Sequence, residues 1–359
     1  MKKIAVMLIL ALGNDVAYTN PQTAFAQAEG VDAIKVLASG GNASTQVTGK
    51  ITAHTATEVT IQSRATGVKI IPANEIEFVR FSNGGEISLA RTKIRDGKLD
   101  EAQNDLKSVK RDKLDNPAAQ VEYDYVQALL AIRLAQGQSG NLTDAGKLLY
   151  AFINANKENY NYYPACELMG DVFVSIGKPA PAEQMFAELA KAPWPEYKMR
   201  ASIASGRSLL SQNKPKEAID KFTEAMNLSQ TGAKGSETQV MTATLGKAEA
   251  LALSGKGAEG LKIAEEVLAK ASAEDVDLHA RIYNTLGSCY QKTNREKDAL
   301  LAYLHVHLLY ANLADADAES LANLATLWEK QGRPDRANEC RGQLQSKYPN
   351  SRWAAKKAS

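Results

Sequence analysis

One local signature recurs seven times along this chain and restricts its fold more than any other feature. A residue that tolerates the left-handed backbone conformation stands five positions before a small residue. The pairs are Gly97/Ala102, Gly140/Ala145, Gly177/Ala182, Asn213/Ala218, Gly255/Gly260, Asn294/Ala299 and Gly332/Ala337. Gly and Asn lose least in the left-handed cap that closes a helix. Runs such as Lys98-Leu-Asp-Glu and Arg333-Pro-Asp-Arg follow the cap and suit the first turn of a new helix. Pro179, Pro181, Pro215 and Pro334 fall there, where a missing N–H costs little. Four residues after the small position stands Leu106, Leu149, Phe186, Phe222, Ala264, Tyr303 or Arg341. The small positions lie 36 to 43 residues apart, so the unit is a pair of helices repeated along the chain.

The fullest copy runs from Tyr283 to Tyr303. Tyr283, Leu286 and Tyr290 share one helical side, and Ala299 and Tyr303 answer from the next helix. Gly287 and Ala299 are expected to let the two backbones touch. With this aromatic, Leu-Gly, Tyr, Ala, aromatic order the chain resembles the tetratricopeptide repeat (TPR) family. Met169, Gly170, Phe173, Ala182 and Phe186 match the same pattern, as do Gly206, Leu209, Ala218, Phe222 and Ala225. Leu324, Ala325, Trp328, Ala337 and Pro349 form the last copy. The copies around Ala102, Ala145 and Gly260 match less fully, and Leu245-Gly246 stands two residues early. The resemblance covers residues 86–350. It implies a mainly α protein, an α-solenoid of about seven antiparallel helix pairs, whose first helices line a concave groove for a protein or peptide partner.

The remainder of the chain reads differently. Residues 1–28 have the form of a secretory signal: Lys2 and Lys3, the apolar run Ile4 to Leu12, and small-x-small sites at Ala24-Phe-Ala and Ala26-Gln-Ala. Export to the periplasm or beyond is the expectation. Residues 30–82 alternate apolar and polar at Val47, Gly49, Ile51 and Ala53 and again at Val59 and Ile61. Four or five short strands, with Pro72-Ala-Asn-Glu turning into Ile76, resemble a small SH3-like or Sm-like β barrel. Its strands lack aromatic platforms for bases. Ser82-Asn-Gly-Gly-Glu reads as the linker into the repeats. Asn156 to Tyr163 and Ser229 to Ser236 read as interruptions between repeats. Asn42, Asn141 and Asn227 each begin a glycosylation sequon, a pattern short enough to arise by chance.

Composition excludes more than it assigns. With 44% hydrophobic and 23% charged residues the chain can bury a core, and a net charge of +2 gives no nucleic-acid or membrane footprint. Arg352, Lys356 and Lys357 in the tail, residues 351–359, read as a solvated helix end. Cys166, Cys289 and Cys340 form no Cys-x-x-Cys pair and read as small buried hydrophobes. His305 and His307 stand two apart, about 200° around a helix, so one helix cannot offer both to one ion. His54 and His279 have no partner at ligand spacing, Glu265-Glu266 reads as solvated surface, and no nucleophile elbow, phosphate loop or dinucleotide fingerprint occurs. No catalytic residue, cofactor or metal is therefore expected, and a non-enzymatic interaction scaffold of the cell envelope is the better reading.

The expected groove positions are Glu167 and Asp171, then Arg200, Ile203 and Arg207 at i, i+3 and i+7, and Asn284 with Ser288. Two arginines there suit a partner's carboxylate, unless Glu167 and Asp171 already neutralise them. An assembly or cell-division accessory factor is an alternative within binding. An envelope hydrolase with a scattered site is the alternative of another class.

Overall fold

The computed structural model describes residues 31–37, 45–137, 140–229 and 236–355. The expected secretory segment, the Asn42 sequon, most of the Ser229–Ser236 connector and Lys356–Lys357 lie outside them.

Five strands, β1 (Asp32–Val36), β2 (Thr45–His54), β3 (Glu58–Ser63), β4 (Gly67–Pro72) and β5 (Ile76–Arg80), form one antiparallel sheet in the order β4-β3-β2-β1-β5. The alternation in β2 holds through Ile51, and a register shift between Ile51 and Ala53 then bends the strand. Val59 and Ile61 face inward from β3, and a single 3-10 turn at Ala73–Glu75 leads into β5. Asp32, nearly fully buried, accepts from the N–H groups of Ile51 and Ser82, both at 2.9 Å. One carboxylate thus pins the start of the linker into the repeats.

Fourteen helices follow as seven pairs: α1 (Gly85–Arg95) with α2 (Leu99–Ser108), α3 (Pro117–Gln136) with α4 (Leu142–Ala155), and α5 (Tyr162–Ser175) with α6 (Pro179–Leu189). Next come α7 (Pro195–Ser211) with α8 (Pro215–Leu228), α9 (Ser236–Leu253) with α10 (Gly257–Leu268), α11 (Val276–Lys292) with α12 (Glu296–Leu309), and α13 (Ala314–Lys330) with α14 (Pro334–Lys347). A last turn, α15 (Arg352–Ala355), lies against α13 and α14. Among the described residues, every position of positive φ except Gly67 is one of the seven expected caps. In six of them the following N–H donates to a carbonyl five residues back, as from Lys178 to Phe173 and from Arg295 to Tyr290. That bond closes a Schellman motif and satisfies a carbonyl the helix end would leave bare.

The glycines opposite these caps do something other than expected. A Cβ on Gly287 would stand 2.6 Å from the Tyr303 ring, one on Gly170 2.2 Å from Phe186, and one on Gly206 2.7 Å from Phe222. Each glycine is a socket for the aromatic ring of its partner helix, rather than a point where two backbones meet. Backbone does meet backbone in the fifth pair, where a Cβ on Gly260 would stand 2.4 Å from the Ala248 carbonyl oxygen. That pair carries Ala264 where the third, fourth and sixth pairs carry a ring, so it needs no socket. Gly246, displaced in sequence, instead serves Phe222 of the preceding repeat, where an added Cβ would stand 2.3 Å from the ring.

Sheet and repeats share one core. Ile34, Val59, Ile61 and Val79 belong to the same apolar cluster as Ile87, Leu106, Val126, Leu149 and Met169. The Asn- and Tyr-rich stretch before α5 is a buried belt, not an exposed interruption. Asn159, Tyr160 and Asn161 are almost fully buried. The carboxylate of Glu122, on α3 and 1% exposed, accepts from Arg91 Nη1 at 2.7 Å, from Asn161 Nδ2 at 2.8 Å and from the Tyr160 hydroxyl. Burial would lower Arg91, but Glu122 outweighs it and holds the guanidinium above its ordinary range. The His54 ring sits within hydrogen-bond distance of the Glu158 carbonyl, so the belt also holds the sheet to the repeats.

Candidate functional site: the concave face of the repeats

Successive first helices touch one another, α5 to α7, α7 to α9, α9 to α11 and α11 to α13, while successive second helices make no comparable contact. The first helices therefore form the inner wall, and one face of each looks into the concavity. The expected groove residues lie on these helices but do not behave alike.

Arg200 is already matched. Its guanidinium makes a two-pronged pair with Glu167, Nε to Oε1 at 3.0 Å and Nη2 to Oε2, and lies 4.7 Å from the centre of the Tyr197 ring. Burial works against its charge, and the Glu167 carboxylate more than compensates. Ile203 is not a groove residue. It is 5% exposed and packs with Ala218, Phe222 and Ala225 of α8, at the edge of the inner face where α7 meets its partner helix.

Arg207 is different, with neither a hydrogen bond nor an ion pair to any described residue. Burial and the charge of Arg281 push it below the ordinary arginine range, while Asp171 and Asp315 pull the other way. Asp171 is exposed on α5, yet desolvation by the protein around it, then the neighbouring Glu167, pushes its carboxyl up to about 7. The Asp315 charge adds to this, although α5 and α13 are four repeats apart. The wall therefore curves far enough for α5 and α13 to share an electric field.

Asn284, 3% exposed, joins α11 to α13: its Nδ2 donates to the Ala316 carbonyl at 3.0 Å and reaches Glu319 Oε2 at 3.4 Å. Its Oδ1 accepts no hydrogen bond. Ser288 is half-buried one turn further along α11. Glu319 is pushed well above the carboxylate range by burial and by the like charge of Glu249, against the pull of Arg352 and Arg281. Arg281, Asp315 and Glu319 went unnoticed in the sequence, and Arg352 reads there only as part of a solvated helix end. The signal was present for the first three: Arg281 stands three residues before Asn284, and Asp315 and Glu319 stand four apart on α13.

The remaining titratable groups have separate places. His305 stacks on Tyr283 at 3.8 Å, and His307 Nδ1 meets the buried Asp317 carboxylate at 2.7 Å. Cys166 and Cys289 are fully buried and burial pushes both thiols up to about 12, whereas Cys340 is half-buried. Among the described residues no three groups of the metal-binding types converge, and no helix is long and apolar enough to cross a membrane.

Solved structures show what class of fold this is. A tetratricopeptide repeat protein from Parabacteroides merdae ATCC 43184 is similar at TM-score 0.51 and 16% identity, over 74% of this chain and 92% of that one. A Rap protein, solved in complex with Competence and Sporulation Factor, is similar at TM-score 0.53 and 12% identity, over 76% and 77%. The fold is thus a TPR-like α-solenoid preceded by a small antiparallel sheet. No protein-family model matches the sequence, and no curated protein matches it.

Proposed function

We propose that the protein is a non-catalytic scaffold that grips an extended segment of a partner protein in the concave face of its repeats. The single observation that carries this reading is the set of polar groups left unmatched there among the described residues: Arg207 and Arg281 without ion pairs, and the Asn284 Oδ1 without a donor. An extended segment supplies what they lack, main-chain N–H groups for the asparagine and carboxylates for the arginines. The Rap structure, bound to Competence and Sporulation Factor, lends the fold a precedent for holding a factor. The N-terminal signal-like stretch supports a place in the cell envelope. The β module, read as SH3-like from its strand pattern, serves as a rigid base, since its core continues into the first three repeats.

The test is affinity capture from an envelope extract with the intact protein, the Arg207→Glu/Arg281→Glu variant and an Arg341→Glu control outside the concave face. A partner retained by the control and lost by the double variant supports the proposal. Retention by all three overturns it, and turnover of an envelope substrate without a retained partner would favour the hydrolase.

A further inference from the structure

Six of the seven first helices close on themselves, each through its own left-handed cap. The exception is α3. Its C-cap residue is Gly137, with φ −78°, and the left-handed Gly140 comes only three residues later. The carbonyl of Ala135, in the last turn of α3, has a partner from the far end of the chain. Asn350 Nδ2 donates to it at 2.8 Å and to the Gly140 carbonyl at 3.1 Å, across 215 and 210 residues of sequence.

Asn350 is firmly mounted on the seventh repeat. Two residues earlier, the Tyr348 hydroxyl donates to Asp317 Oδ2 at 2.8 Å and lies 3.1 Å from the Ala311 carbonyl. Asp317 is fully buried, and Ser320 and His307 hold its other oxygen. Pro349 stiffens the step between Tyr348 and Asn350. Beyond it, the Ala354 carbonyl accepts from Gln345 Nε2 at 3.0 Å, fastening α15 to α14. The rigid side of this contact is the C-terminal one, and it reaches over to a helix end that, among the described residues, lacks the cap bond of the other six.

We infer that Tyr348–Arg352 is a latch: Asn350 closes the curved wall into a ring at the α3–α4 turn, and the closure delivers Arg352 into the concave site. Arg352 had read as a solvated tail residue. It is half-buried, its Nε has no hydrogen-bond partner, and its charge bears on Arg207 and Glu319. Two neutral hydrogen bonds make a seal that can open and re-form. A closed ring admits a slender segment by its end and excludes a folded domain; an opened one admits either. The part given to Arg352 rests on reading the concave face as the binding surface, whereas the latch is tested without any partner.

The experiment compares the full chain with Asn350→Asp, which keeps the shape and removes the donor, and with Asn350→Ala. Amide exchange over residues 133–145 is expected to quicken at least tenfold in both, with a larger radius of gyration in solution scattering and an unchanged melting profile for the other repeats. Unchanged exchange and radius in both variants overturn the latch. Arg352→Ala leaves exchange and radius as they are. Because Arg352 draws the Glu319 carboxyl downward, that carboxyl, followed by NMR, titrates higher both in Arg352→Ala and in the unlatched variants. No movement of Glu319 in either removes Arg352 from the site while leaving the latch standing.

Discussion

Replacing one glycine by alanine should have opposite signs at two places in this fold. Gly246 on α9 faces the Phe222 ring, and a Cβ there would stand 2.3, 2.4 and 2.8 Å from three ring carbons. Ordinary carbon contacts lie at about 3.5–4.0 Å, so the overlap exceeds 1 Å. The ring has little room to retreat, because it also packs against Gly206, where a Cβ would stand 2.7 Å from it. Overpacking of this kind costs about 1–3 kcal/mol, and a pinned ring calls for the upper end. Alanine returns about 1 kcal/mol of helix propensity, which leaves a net loss of about 2 kcal/mol. At Gly342 on α14 a Cβ meets nothing within 4 Å, so the same change should stabilise by up to about 1 kcal/mol. Urea titrations followed by circular dichroism should therefore separate Gly246→Ala from Gly342→Ala by about 3 kcal/mol. Phe222→Leu in the Gly246→Ala background should recover the clash portion. Equal stability of the two single variants would refute the socket reasoning.

Glu122→Ala strands the buried Arg91 and the Tyr160 hydroxyl, and should cost about 3–5 kcal/mol in thermal or urea unfolding; a loss under 1 kcal/mol would mean that the belt is not held by this carboxylate. Asp171 has an ordinary value near 3.8 and is pushed up to about 7 in the fold. Between those values the folded chain keeps a proton that the unfolded chain releases, so stability falls as pH rises through that window. Asp171→Asn should accordingly raise the melting temperature at pH 8 and leave it unchanged at pH 3, which two melting curves decide. Burial pushes the Cys166 and Cys289 thiols up to about 12, so at pH 8 Cys340 should react first with a thiol reagent and the other two only on unfolding. Fast reaction of all three in the folded protein would contradict their burial.

The helical pairing was legible because it rests on local chemistry. A left-handed cap demands Gly or Asn wherever it occurs, so seven caps could be placed from residue type and spacing alone, and Asn213 and Asn294 stand out as surely as the glycines. What the glycines face was not legible. The contact between Gly246 and Phe222 joins two repeats, and only the stacking shows why that glycine sits two residues early. The site divides in the same way. Helical spacing placed Arg207 and Asn284 on the inner wall, but a 100° step per residue could not tell that Ile203 packs against α8. Helical spacing could have placed Arg281 beside Asn284, but that Asp315 and Arg352 bear on Arg207 follows from curvature, which accumulates over several repeats. Likewise, the run from Asn156 to Tyr163 has turn composition, but its burial depends on Glu122, some forty residues away.

Curvature is also what the whole account depends on, and one distance reports it. Spin labels placed by Asp171→Cys and Asp315→Cys, with Cys340→Ser, measure across the concave face in the full chain. Four repeats stacked straight at about 10 Å per step would set the labels about 40 Å apart. Charges that feel one another through water lie within about a Debye length, near 10 Å, so label arms included, a separation below about 25 Å is expected. A distribution centred near 40 Å would contradict the closed concave site.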